Sequence, residues 1–462
     1  MRRRRYDIII LQSNRKISLQ SLSHEWYIMK SETAIFSRVT SVFLALFITV
    51  FLFCFGSRGY LNISAVKRAA FYLLCGGYCA VIFGLVVCRR GVRLRFSGIH
   101  PAQIFAGLYL LFTLIATLVS PFRAEAWFGA SRGEGFFEIA LYCLTFLCVA
   151  QFAQIRPWMV YLLGGSCVLF SLVCALQLES VNVFSLFPEG LTFWDGNIAY
   201  RGQYIGTIGN VDHVAAFLSL AIPILWCAVV RMRDGRRFWL LVPLALLMIV
   251  LVRIDVAAGI LAVFAGALFC LPVVLPGSNR LRLVRLALLM ALIVFGLVLV
   301  RVRDFGNQTL HEAHELLNGR WAPTFGSGRL YIWSETLKRA ARRPAFGYGP
   351  DTMILTGIEP FRRFDERTGK TIVSTIDAAH NEYLNILFHQ GVFALLAYLG
   401  MIAAALAGWI RHAPKRVSAA ICGCGVLCYC IQALFGISQV ITTPFFWVAL
   451  ALLVKSCKAS DG

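Results

Sequence analysis

Apolar runs of helical length recur along the whole chain, separated by short polar connections. Crossing a bilayer takes about 20 apolar residues per helix, fewer where the ends snorkel. By that measure the pattern predicts twelve spans, near 39–56, 69–88, 102–121, 136–154, 158–176, 211–230, 238–252, 256–275, 286–300, 383–410, 417–436 and 439–455. The connections alternate in character. Arg89, Arg90, Arg93 and Arg95 follow the second span, and Arg231, Arg233, Arg236 and Arg237 the sixth. Arg280, Arg282 and Arg285 follow the eighth, and Arg411, Lys415 and Arg416 the tenth. In the short connections and the C-terminal tail, this face carries 17 Lys and Arg against 7 on the other. The positive-inside rule makes it cytoplasmic, with both termini on that side. The expected fold is all-α: a polytopic transmembrane helical bundle of about twelve spans.

Four segments follow from the pattern. Residues 1–38 form a basic cytoplasmic tail that carries Arg2 to Arg5 and lacks a cleavable signal pattern. Residues 39–300 hold spans one to nine. Residues 301–380 form a large external loop, and residues 381–462 hold the last three spans and a short cytoplasmic tail. Residues 177–210 form a second long external connection. Loops of such length are usually functional.

Composition agrees with the pattern. Of 462 residues, 59% are hydrophobic and 15% charged, and the mean hydropathy is +0.72. These values exclude a disordered chain, a coiled coil and an ordinary soluble enzyme. The net charge of +21 needs no nucleic acid, because the topology and the external loop account for it. The fifteen cysteines fall in the expected spans or, for Cys457, in the tail, so structural disulfides are not expected. Cys422, Cys424, Cys428 and Cys430 scatter over the faces of an apolar helix and read as small hydrophobes, not as a metal cluster. No Walker A or dinucleotide fingerprint is present, which points to substrates from the membrane or the external face.

Candidate chemistry gathers on the external side. In the segment STIDAAHNEYLNILFHQG (374–391), His380 and Asn381 stand at the mouth of the tenth span. Asp377 is expected to cap that helix, placing His380 in its first turn near the positive end. An imidazole suits a general base near neutral pH. His389, deeper in the span, reads as structural, and Gly391 as a point of close helix packing. In GSGRLYIWSETLKRAARRPAFGYGPD (326–351), a helix is expected from about Leu330 to Arg342. Its face of Ile332, Trp333, Thr336, Leu337 and Ala340 would lie on the membrane surface. Arg329 stands at its N-terminal edge, where a guanidinium beside free helix N–H groups suits phosphate. Arg201 enters a Gly-rich stretch before Asn210, Asp212 and His213. Arg132 precedes the fourth span in GASRGEG, and Arg253 sits in a short external turn with Asp255.

Taken together these segments resemble the O-antigen ligase and polymerase superfamily of bacterial membrane glycosyltransferases. The resemblance rests on SGRLYIW, RRPAFGYGPDT and HNEYLNILFHQG in that order, with YIGTIGNVDHVAAFLSLAIP and GASRGEGFFE before them. His380, Asn381 and Gly391 fit the ligase pattern, whereas Ala394 departs from its last position. The resemblance implies a cytoplasmic (inner) membrane enzyme without cofactor or bound metal. It would invert configuration and take a glycan from an undecaprenyl-diphosphate-linked donor to a glycan, lipid or protein acceptor, for cell-surface polysaccharide. It implies His380 as general base with Asn381 orienting, and Arg329 on the diphosphate, with Arg253, Arg201 and Arg132 as further candidate contacts. A protein O-oligosaccharyltransferase and a polysaccharide flippase or exporter remain as alternatives. The flippase would need paired halves with broken midplane helices.

Overall fold

The computed structural model describes residues 34–88, 98–187, 204–365 and 370–458. The basic residues Arg2 to Arg5 and Arg89 to Arg95, and the candidate Arg201, lie outside them. Apolar stretches become helices α1 (Ala34–Phe51), α2 (Gly59–Cys88), α3 (Pro101–Leu118), α4 (Phe136–Phe152), α5 (Trp158–Leu178), α6 (Val211–Arg231), α7 (Gly235–Ile254), α8 (Ala257–Val274) and α9 (Asn279–Val302). The large loop contributes α10 (Gln308–Leu317) and α11 (Arg329–Ala340), and α12 (Glu382–His412), α13 (Val417–Gln432) and α14 (Thr443–Cys457) close the chain. Among the described residues, each of the twelve expected spans coincides with an apolar helix, nine of them long enough to cross a membrane. The fold is a polytopic helical bundle with almost no sheet among the described residues. Two small antiparallel ribbons complete it: β1 (Tyr204–Ile205) with β2 (Gly209–Asn210), and β3 (Phe361–Asp365) with β4 (Lys370–Ser374).

The helices α4, α13 and α14 are short, at 17, 16 and 15 residues. Their missing turns have a use. Backbone at 129–135 and 433–442 leaves the helical path, and both stretches form part of the site described below. The centre of the bundle is α6, of whose most apolar window 83% is buried. It packs against α8 and α13, and Asn210 caps it by accepting from the Asp212 N–H at 2.8 Å. At the opposite extreme, α9 buries only 6% of its apolar window. An apolar helix so exposed needs hydrocarbon around it, which is what a bilayer supplies.

The long helix α12 is broken. Gly391 has φ +82° and ψ −178°, outside helical geometry. A Cβ there would lie 2.1 Å from the Ala345 carbonyl oxygen, so close approach of backbone, not helix–helix packing, explains this glycine. The chain from Pro344 to Gly349 inserts at the break. Tyr348 N donates to Phe388 O at 3.1 Å, Gly349 N to His389 O at 2.7 Å, and Val392 N to Pro344 O at 2.8 Å. The carbonyls freed by the break are therefore satisfied inside the protein, the condition for irregular backbone at membrane depth. The residues of RRPAFGYGPD thus act as a wedge that splits the tenth span.

The helix expected near Leu330–Arg342 forms as α11, but its face does not lie on a membrane surface. Trp333 Nε1 donates to Ala379 O at 2.9 Å, and Thr336 and Ala340 are buried. Tyr331 and Ile332 pack on a small core of Met353, Ile358, Ile376, Ala379 and Phe388. The large loop supplies enough apolar surface of its own to cover most of that face, leaving Leu337 exposed, so α11 docks on the first half of α12.

Candidate active site

Three glycines and one buried acid shape the first wall. Gly129 and Gly133 take φ of +83° and +68°, and Gly135 leads into α4. The loop they form turns its N–H groups inward. The Asp351 Oδ2 accepts from Ser131 N at 3.1 Å, Arg132 N at 2.7 Å, Gly133 N at 2.8 Å and Glu134 N at 3.3 Å. Burial raises the Asp351 carboxyl above its usual value, and the N–H groups draw it part of the way back. This acid fixes the loop that carries Arg132. Asp351 lay in plain view in the motif GYGPD, but nothing local shows that its partners stand some 220 positions earlier.

The Arg132 guanidinium then points across to Asp377. Its Nη2 donates to Asp377 Oδ1 at 2.9 Å, and Ser131 Oγ donates to Oδ2 at 2.9 Å. Burial pushes the Asp377 carboxyl up, but Arg132, Ser131 and His380 together outweigh it, and the net result lies below the ordinary value. Because Arg132 and Ser131 hold Asp377, it does not cap α12. Asn381 does: its Oδ1 accepts from Leu384 N at 3.0 Å. His380 accordingly precedes the cap, at φ +49°, instead of lying in the first helical turn. The neighbouring peptide is pinned from both sides, by Trp333 on Ala379 O and by Asn385 Oδ1 on Ala379 N at 3.0 Å.

Charges converge on His380 from several elements. Arg132 and Arg329 act on it from one sign, Asp212 and Asp377 from the other. Burial, with the two guanidiniums behind it, lowers the imidazole to about 4. His380 is therefore neutral through the physiological range, and a free ring nitrogen is able to accept a proton. Arg329 opens α11 behind Gly328, which takes φ +85° with Phe361 packed where a Cβ would stand. Its Nη1 donates to Gly326 O at 3.1 Å. The Nε atoms of Arg132 and Arg329 are both buried without a partner among the described residues. Such donors belong with an anion.

Below this cluster lies a polar cavity of about 40 Å³, space for about three waters at about 10–15 Å³ each. Glu134, Glu382, His389, Gln390, Tyr398 and Trp447 contribute to its lining. Tyr142 Oη donates to Glu134 Oε2 at 3.0 Å, and Val440 N donates to the other oxygen. Tyr398 Oη donates to Glu382. His213, at the start of α6, meets Gln439 at 2.6 Å. These acids and Gln439 had no assigned role in the sequence, since each depends on a partner from another helix.

Of the candidate residues, Arg132, Arg329, His380 and Asn381 come together. Arg253 does not join them: it is exposed in the last turn of α7 and is not among the main charges acting on His380. The fold, the charged cluster around His380 and the adjoining pocket, which Arg132 shares with four acids, define a polytopic membrane protein with a site at one end of its bundle. Residues 243–399 match the family model for O-antigen ligase. The match supports the O-antigen ligase superfamily for this chain, and O-antigen ligase-like function in general. It takes in Arg329, Asp351, Asp377 and His380, whereas Arg132 and His213 lie before it. No curated protein matches the chain.

Proposed function

We propose that the protein is a membrane glycosyltransferase of the O-antigen ligase type. It takes a glycan from undecaprenyl diphosphate and joins it to an acceptor hydroxyl at the external face, with both termini in the cytoplasm. The observation that carries this reading is the pair of guanidiniums, each with an unpartnered buried Nε, acting on one neutral histidine.

Arg329 and Arg132 hold the donor diphosphate, and the polyprenyl tail stays in the bilayer. His380 removes the acceptor hydroxyl proton. The acceptor oxygen bonds to the anomeric carbon from the side opposite the diphosphate, and the carbon–oxygen bond to diphosphate breaks. Configuration inverts, and the electron pair leaves on undecaprenyl diphosphate. Guanidiniums placed where that charge develops stabilise the transition state directly, so the mechanism invokes no metal. Donor binding also prepares the base. The same two guanidiniums that depress His380 are offset by the bound diphosphate, so the imidazole becomes a stronger base once the donor is seated. Asn381 orients His380 by holding the start of α12 through its cap.

The test is transfer by purified protein, given a lipid-linked oligosaccharide and separate glycan, lipid and protein acceptors. The expected outcome is glycan moved to or extended on one acceptor class. His380→Ala should lower the rate by about 10²–10⁴-fold with donor binding retained. Arg329→Lys should weaken donor binding, since an ammonium lacks the guanidinium fork. Full transfer by the His380→Ala protein would overturn the base assignment. Movement of the lipid-linked glycan across the bilayer without bond formation would replace the enzyme with a flippase.

A further inference from the structure

Towards the other end of the bundle, α1, α5, α6, α13 and α14 border a second space of opposite character, with α14 common to both. Phe47, Phe217 and Phe445 line it, and Phe51 packs against Phe445 beside them. The Phe445 ring centroid lies 4.9 Å from that of Phe47, 5.5 Å from Phe51 and 5.2 Å from Phe217. Below them Ile48, Leu163, Ala221, Ile224, Ile421 and Ala449 line a cavity of about 300 Å³. Its rim holds Ile155, Arg156 and Pro157, together with Met232 and Val417. These residues mark where α4 and α6 end and where α13 begins, the end of the bundle opposite His380.

The chemistry of the lining restricts what fills it. A stable buried water needs two to four polar partners, which this surface does not offer. An apolar cavity of about 150 Å³ already takes up a benzene-sized guest, and this one is twice as large. Left empty, its walls would forfeit their dispersion contacts. Hydrocarbon is the suitable occupant, and the surrounding bilayer holds it. The rim adds a charge preference. Arg156 is exposed, with its guanidinium 3.4 Å from Gln154 Oε1. The connections at this end also carry Arg231, Arg233, Arg236, Arg237, Lys415 and Arg416, against the single acid Asp234 among the described residues. Such a surface attracts anionic lipid.

We propose that this cavity is a lipid site that takes an acyl chain of an anionic phospholipid from the adjacent leaflet, with the headgroup against Arg156. The assignment needs only that the chain spans a bilayer, and it stands apart from the transfer chemistry at the other end. The occupant supports the phenylalanine cluster and so holds Thr443 and Trp447, two residues to either side of Phe445 on α14, against the polar cavity.

The experiment uses the full chain in phosphatidylcholine vesicles containing a minority of phosphatidylglycerol. The protein is extracted gently, and retained lipid is counted by native mass spectrometry. The wild type should keep one phosphatidylglycerol per chain. Ala449→Phe, which fills the cavity, should lower retention at least tenfold. Arg156→Glu lies on the surface and should fold normally; it should exchange the preference, keeping phosphatidylcholine in place of phosphatidylglycerol. A wild type that emerges without phospholipid, or with a polyprenyl chain instead, overturns the proposal. So does a folded Ala449→Phe protein with unchanged retention. If that variant fails to fold, an unchanged headgroup preference in Arg156→Glu overturns it alone.

Discussion

The two halves of α6 face opposite materials. At its start, His213 meets Gln439 at 2.6 Å beside a cluster of acids, guanidiniums and hydroxyls. Eight residues on, about 12 Å along the axis, Ala221 faces a cavity walled by aliphatic side chains. The polar end depends on individual partners at fixed distances. The apolar end depends on volume and shape, which many side chains supply equally well. This contrast explains why the polar end contains the strained backbone. Asp351 and His380 have positive φ, and α12 breaks at Gly391 beside them. Strain of that kind persists only where surroundings over-determine it.

The sharpest way to break the polar end is Gly391→Ala. The added methyl meets the Ala345 carbonyl at a backbone angle that L-residues avoid. The expected cost is about 2–6 kcal/mol, from strain of about 1–3 kcal/mol and overpacking of about 1–3 kcal/mol. Thermal unfolding in detergent reads it, and an unshifted Tm would show that the wedge of 344–349 moves aside freely. Next in size is a pH effect. His380 is depressed in the folded protein from 6.5 to about 4, so between those values the unfolded chain binds a proton that the folded chain refuses. This contribution to stability is fully present above about 6.5 and is lost as pH falls toward 4, up to about 3 kcal/mol. His380→Gln should flatten that part of the Tm-against-pH curve, whereas no histidine or acid lines the apolar cavity. A curve of the same slope in both proteins would remove His380 as its source. The smallest effect is expected for Asp351→Asn. It keeps an acceptor for the loop but removes the charge that holds four N–H groups, costing about 1–3 kcal/mol. Because that loop carries Arg132, donor affinity should fall with stability, and binding of lipid-linked donor measures it. Unchanged affinity would separate the loop from the diphosphate.

Much of the fold was legible along the chain. All twelve spans coincide with apolar helices, because helix formation in a bilayer depends on local hydrophobicity over one segment. Part of the site was legible too. Arg132, Arg329, His380 and Asn381 announced themselves as polar groups at the ends of apolar runs. The errors have a common cause. Asp377 was expected to cap α12 and Asn381 does, because Arg132, distant in sequence, claims the aspartate. The face of α11 was expected at the membrane, but the loop's own core covers it. Gly391 was expected to ease helix packing, yet a separate segment inserts there.

The sequence by itself determined the spans, the alternation of basic and less basic connections, and the residue types capable of binding a diphosphate and taking a proton. Hydrophobic periodicity and charge are carried by neighbours along the chain. Only the tertiary structure decided which of those residues meet. Asp351 reaches Arg132 N across 219 positions, and Gln439 reaches His213 across 226. No local pattern encodes such pairs, because hydrogen bonds between distant segments exist only once the helices have packed. The same packing set the second cavity, since a void belongs to no residue and arises from how five helices fail to touch.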